Sequence, residues 1–186
     1  GNSKLLGVRH VVHDEPDDQF MLQPAFQQGI GMLKDFELSY DLLLFPKHLP
    51  IATQLVEKFP GQRFVLDHIA KPMIRDRIME PWRTQIRELA KAPNVMCKIS
   101  GMVTEARWDG WRVEDFDPYL DVVVEAFGVE RLMYGSDWPV AKLGGGAELW
   151  RTIVDELSAE WPEADRHALL GENAARFYDL EVPVHG

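Results

Sequence analysis

The sequence predicts an α/β protein built on a parallel sheet, and three observations carry that expectation. Short apolar runs rich in β-branched residues alternate five times with segments whose apolar residues recur at helical spacing. Pro, Gly or Asn punctuates most of the switches between them. The 186 residues, 46% hydrophobic and 10% aromatic, supply one sizeable core.

In order, Leu5 to Val12 reads as the first strand, closed by Asp14-Glu15-Pro16. Phe20 to Lys34 reads as a helix interrupted at Pro24 and at Gly29–Gly31. Leu38 to Phe45 is a second apolar run, ended by Pro46. Ile51, Leu55, Val56 and Phe59 share a helical face, and Pro60-Gly61 breaks that helix before a third strand, Arg63 to His68. Trp82, Ile86, Leu89 and Ala90 mark the next helix, and Val95 to Ser100 the fourth strand. Leu120, Val123, Val124 and Phe127 mark another helix, which Gly128 stops. Arg131 to Ser136 is the fifth strand. Leu149, Trp150, Ile153, Val154 and Leu157 form a further stripe, and two short helices, Pro162–Leu170 and Glu172–Tyr178, finish the chain. Gly101 to Asp117, polar and Trp-rich, reads as a loop over a site.

Composition excludes several classes. The chain has no run of about 18 apolar residues, so no helix is predicted to cross a membrane. Gly1-Asn2-Ser3-Lys4 leads straight into strand-like residues and reads as no signal peptide. A single cysteine, Cys97, leaves no internal disulfide and no multi-cysteine metal site, which fits a cytoplasmic protein. Thirty acids against 20 bases give a net charge of −10, which argues against nucleic acid and anionic membrane as partners.

Ligands of parallel sheets sit where strands end, because the variable loops leave from there. Four strand ends carry chemistry here: Arg9-His10, Asp67-His68 with Lys71-Pro72, Lys98 with Ser100, and Ser136-Asp137. Buried strand ends do not hold such groups without partners, since an unpaired buried polar group costs roughly 2–7 kcal/mol. Strand alternation puts Phe64, Leu66 and His68 on one face and turns Asp67 to the other, so the adjacent pair is no hydrogen-bonded dyad. The same geometry separates His10 from His13. His68 and Asp137 are expected on one cavity, within about 10 Å of each other.

Five segments then resemble a single family. They are Gly7-Val8-Arg9-His10, Ser39-Tyr40-Asp41-Leu42-Leu43, Leu66-Asp67-His68-Ile69-Ala70-Lys71-Pro72, Cys97-Lys98-Ile99-Ser100-Gly101 and Tyr134-Gly135-Ser136-Asp137-Trp138-Pro139. Together with Gly171 to Tyr178 they are similar to the amidohydrolase-2 group of the amidohydrolase superfamily, in its sugar-lactonase branch. The resemblance runs from about Leu5 to Leu180. It implies a (β/α)8 TIM barrel that hydrolyses a sugar-acid or related lactone. Asp137 matches the general base, and His68 the histidine that polarises the substrate carbonyl or helps hold a metal. The two are also the candidate ligands of one divalent metal such as zinc, with metal-independent action as the other option. Arg9, His10 and Lys98 match substrate-binding positions, and Trp138 a pocket wall.

The sequence departs from the family in two ways. It lacks the His-x-His pair of the family's first strand. Five strands are readable, whereas a barrel needs eight and roughly 250 residues. The expectation is one domain, residues 1–186, forming the C-terminal portion of a longer barrel and inactive alone; a naturally truncated paralogue is the alternative. Two other functions stay open: a decarboxylase of the same family, and a non-catalytic remnant serving as a binding or assembly module. The expected partners are a small-molecule lactone and further copies of the chain.

Other features read as structural. Asp14, Glu15, Asp17 and Asp18 solvate a loop and favour the positive end of the next helix. Lys142 to Gly146 lacks the spacing of a phosphate loop and reads as a flexible lid. Cys97, Trp82 and Trp150 read as core, and His48, His167 and His185 as surface.

Overall fold

The computed structural model describes residues 4–181, and its centre is one sheet of five parallel strands in chain order. These are β1 (Gly7–Val11), β2 (Ser39–Leu43), β3 (Phe64–Leu66), β4 (Val95–Ile99) and β5 (Leu132–Tyr134). Helices α1 (Pro24–Leu33), α2 (Leu49–Lys58), α3 (Trp82–Ala90) and α5 (Asp117–Phe127) come after β1 to β4 in turn, with the short α4 (Met102–Glu105) between β4 and α5. After β5 come α6 (Ala147–Leu157), α7 (Glu163–His167) and α8 (Asn173–Tyr178). Gly1–Ser3 and His185 lie outside the described residues.

Alternation along each strand sorts the two faces. Tyr40, Leu42, Phe64, Leu66, Val95, Cys97 and Ile99 join the main core with Ile30, Leu55, Val56, Ile86, Leu89 and Val123 from the helices. Arg9, Asp41 and Lys98 fall on the opposite, inner face, in line with the register Arg9–Asp41–Val65 across β1 to β3. Cys97 is fully buried, as expected, and its thiol is pushed up by burial.

The elements depart from expectation in ways with clear causes. Pro24 opens α1 rather than interrupting it, because a first-turn residue has no intrahelical N–H partner to lose. The two predicted terminal helices are joined by a π-helical stretch, Ala168–Glu172, that absorbs Gly171. Lys142 to Gly146 is no free lid: a Cβ on Gly144 would meet the Val103 carbonyl oxygen at 2.6 Å, and Trp111 Nε1 donates to the Gly144 carbonyl at 3.2 Å. The stretch from Gly101 to Asp117 contains α4, whose Met102 and Val103 are buried. His48, expected at the surface, is fully buried; its Nδ1 accepts the Phe45 N–H at 3.1 Å and its Nε2 lies 3.4 Å from Asp18.

Candidate active site

The third strand stops at Leu66, two residues before the expected end, and the turn after it decides the site. His68, Ile69, Ala70 and Lys71 all have left-handed backbone, with φ values of 53°, 45°, 59° and 51°. For non-glycine residues this costs about 1–3 kcal/mol each, so the surroundings must enforce it. Trp82 does so from behind, donating its indole N–H to the Ile69 carbonyl at 2.8 Å, and the Lys71 N–H closes the turn on the His68 carbonyl at 2.8 Å. Strand alternation therefore fails at His68. Asp67 stays on the inner face, while the left-handed step brings His68 round to the carboxyl edge of the sheet as well.

The space His68 enters is shaped by glycine. A Cβ on Gly101, itself at φ 66°, would stand 2.8 Å from His68 Cβ. A Cβ on Gly135 would meet Ser100 Cβ at 3.0 Å. Ser100 is buried, and its Oγ lies 2.8 Å from His68 Nδ1. The tautomer in which the hydroxyl donates to Nδ1 leaves the ring proton on Nε2, which lies 3.5 Å from Asp137 Oδ1. Burial lowers the His68 pKa to about 4, with Lys71, Lys98 and Arg9 adding to the effect against Asp67, so the ring is neutral at pH 7.

Asp137 comes just after β5 and is itself left-handed, at φ 54°. Trp150 donates its N–H to the Gly135 carbonyl at 3.0 Å, so a tryptophan backs this strand end too. The Asp137 side chain is 9% exposed, and its Oδ2 is buried without a hydrogen-bond partner. Burial raises its pKa, helped by Asp67 and Glu105 and opposed by Lys71 and Arg9.

Below this pair, a ladder of alternating charge crosses the inner face. Arg9 Nη1 lies 2.8 Å from Asp67 Oδ2, Lys98 Nζ 2.8 Å from Asp67 Oδ1, and Lys98 Nζ 2.6 Å from Asp41 Oδ2. Burial works against every charge in it. For Asp67, Lys98, His68 and Arg9 outweigh burial and hold the carboxyl below its usual range. For Lys98, Asp67 and Asp41 outweigh burial and hold the ammonium above its usual range. Asp41 stays raised by burial despite Lys98. Two cations and two anions make the ladder neutral overall. A second pair, Lys71 Nζ and Glu105 Oε1 at 2.8 Å, bridges the left-handed turn and α4.

The structure thus gathers His68, Asp137, Arg9 and Lys98, though Lys98 is committed to two acids and Arg9 is half-exposed. It does not bring His10 to them. Alternation turns His10 away from Arg9, and its ring stacks on Phe20 with Nε2 2.5 Å from Glu15. Trp138 stands at the surface, 67% exposed, with Lys142 Nζ 5.8 Å from its ring centre. The sequence marked Asp67, Lys71 and Ser100 only as polar residues at strand ends, with no role assigned, and it proposed no role for Asp41 or Glu105. A charged residue inside an apolar strand was signal enough for Asp41, but nothing in the sequence marks Glu105.

As a metal site the donors are too few. His68 and Asp137 offer two, and no three His, Cys, Asp or Glu side chains cluster to hold an ion among the described residues. Zinc sites use three protein ligands or more. These residues alone do not fit zinc, and no catalytic step is assigned to a metal.

Known proteins share this fold. The chain is 38% identical over 193 residues to an L-fucono-1,5-lactonase of Burkholderia multivorans, covering 98% of this chain and 65% of the relative. It is 37% identical over 188 residues to an L-fucono-1,5-lactonase of Burkholderia ambifaria, covering 97% and 63%. A crystal structure of a Burkholderia multivorans amidohydrolase with bound zinc superposes with a TM-score of 0.91 at 38% identity, covering 96% of this chain and 66% of that one. The chain therefore spans about two thirds of the length of these relatives, and its sheet is a partial (β/α)8 barrel. The sequence model described as Amidohydrolase matches residues 1–180, the stretch that holds every strand of the sheet. The chain belongs to the amidohydrolase family.

Proposed function

We propose that these residues form the water-activating part of a hydrolase site for a sugar-acid lactone. The observation that carries this reading is a neutral histidine N–H facing a buried, otherwise unpartnered carboxylate across 3.5 Å at the carboxyl edge of the sheet. Asp137 takes a proton from water, and the resulting oxygen nucleophile attacks the lactone carbonyl carbon. His68 donates Nε2–H to the carbonyl oxygen as negative charge develops there. The tetrahedral intermediate collapses with cleavage of the ring C–O bond, and Asp137 returns its proton to the departing alkoxide. Arg9 orients substrate oxygens with the N–H groups that Asp67 does not use, and Lys98 acts indirectly by fixing Asp67. Trp138 walls the entrance. The kinship with two L-fucono-1,5-lactonases supports this substrate class. No helix among the described residues is long and apolar enough to cross a membrane.

The test is hydrolysis of L-fucono-1,5-lactone by the full-length protein that carries this sequence. Asp137→Asn keeps shape and hydrogen bonding but cannot accept a proton, so kcat should fall by about 10²–10⁴-fold. An Asn variant near the wild-type rate removes Asp137 from the role of base.

A further inference from the structure

A cleft of 630 Å³ opens between the segment after the left-handed turn and the segment after β4. Its two walls hold Met73, Arg75 and Asp76 on one side, and Glu105, Arg107 and Trp108 on the other. Both walls belong to segments that leave the site along the chain. The first begins two residues beyond Lys71. The second leaves Gly101, which packs against His68, and includes Glu105, whose carboxylate holds Lys71. The volume lies within the range of about 300–1,000 Å³ usual for small-molecule sites.

Two features of the lining point to a ligand. Trp108 is 57% exposed, yet its indole is fixed, because Nε1 donates to the Thr104 carbonyl at 2.9 Å. A held indole with an open face is a stacking platform, since its electron-rich face attracts polarised C–H groups. Around it, the side chains of Arg75, Arg107 and Asp109 make no hydrogen bond or ion pair among the described residues, in a chain where most arginines are paired. Together these groups offer free donors and free acceptors beside an apolar face. A sugar ring presents the matching set: hydroxyls that donate and accept around its edge, and C–H groups on its face.

We propose that this cleft binds a second sugar unit, so that the substrates include aldonolactones carrying a glycosidically linked sugar. The lactone ring occupies the edge at His68 and Asp137, and the attached ring stacks on Trp108 with Arg75 and Arg107 on its hydroxyls. This rests on the lactone-hydrolase reading, but the cleft can be probed apart from it.

The experiment compares D-cellobiono-1,5-lactone with D-glucono-1,5-lactone, which share the reacting ring, in wild type, Trp108→Ala and Arg107→Ala. Both variants should raise KM for the disaccharide lactone by roughly five- to tenfold, with kcat and all constants for gluconolactone unchanged. In parallel, saturation-transfer NMR with cellobionate should show contact to its non-reducing ring in wild type and Asp137→Asn, and lose it in Trp108→Ala. Equal effects on both lactones, or cellobionate binding indifferent to Trp108, overturn the cleft. Trp108-dependent cellobionate binding without hydrolysis of either lactone or of L-fucono-1,5-lactone upholds the cleft and overturns the lactonase reading instead.

Discussion

His68 and His48 are both buried histidines, and they show how differently one residue type can be used. His68 is held by Ser100 at one nitrogen and faces Asp137 with the other. Removing the hydroxyl should free the ring to rotate and change tautomer. Ser100→Ala is expected to lower kcat roughly tenfold, the scale on which partners of a working histidine act, while the melting temperature moves little. His48 does a structural job, capping Phe45 beside Asp18 and Lys47. Burial lowers its pKa from 6.5, with Lys47 adding to the effect and Asp18 opposing it. The unfolded chain thus binds the proton more readily than the folded one. Its contribution to stability is complete above pH 6.5 and is lost as pH falls through the folded pKa. Urea titrations between pH 8 and 5 should show stability falling on the acid side, and less steeply in His48→Gln. An unchanged slope in that variant would assign the acid sensitivity elsewhere. The sequence singled out His68 but placed His48 at the surface, because burial is decided by neighbours that come from other segments.

At the scale of elements, the left-handed turn from His68 to Lys71 was illegible. Asp-His-Ile-Ala-Lys contains no glycine to announce positive φ, and the apolar run before it reads as strand throughout. The conformation is imposed by a tryptophan thirteen residues further on and by the glycine at the end of the next strand. Trp82→Phe should leave the Ile69 carbonyl buried without a donor, at about 1–3 kcal/mol. It should also lower activity, since the turn carries His68; denaturation and kinetics on the same sample check both. Gly101→Ala acts on the opposite side, by strain at φ 66° and by contact with His68. It should lose activity more than stability if the histidine is what gives way. Helices were far more legible. The stripe Trp82, Ile86, Leu89 and Ala90 falls on α3, Trp82–Ala90, because apolar spacing is a local signal.

For the whole molecule, the decisive feature is an open sheet. Among the described residues β1 and β5 each have one neighbour, and the residues of β1 are half-buried or exposed. Unpaired edges recruit other strands, and inner-face residues of an open barrel lack the packing that closure provides. The 186-residue chain alone is therefore expected to associate in light scattering, rather than to behave as a well-closed monomer. A monodisperse monomer with a cooperative melt that hydrolyses a lactone would contradict this.

The sequence by itself determined the number and order of the strands, their parallel arrangement, most of the helices, and the concentration of polar groups at strand ends. These come from periodicity and punctuation, which act over a few residues and survive without tertiary context. Its motifs also determined the family. Only the tertiary structure decided how those polar groups pair: Asp67 with Arg9 and Lys98, His68 with Ser100 and Asp137, Lys71 with Glu105. Except for the pairing of His68 with Asp137, the sequence singled out none of these, and each joins residues on different strands or loops that meet only once the sheet has formed. The same holds for His48, drawn into the interior, and for His10, turned out of the site. Charge and burial set their protonation and partners, and both are properties of the assembled surroundings, not of the chain.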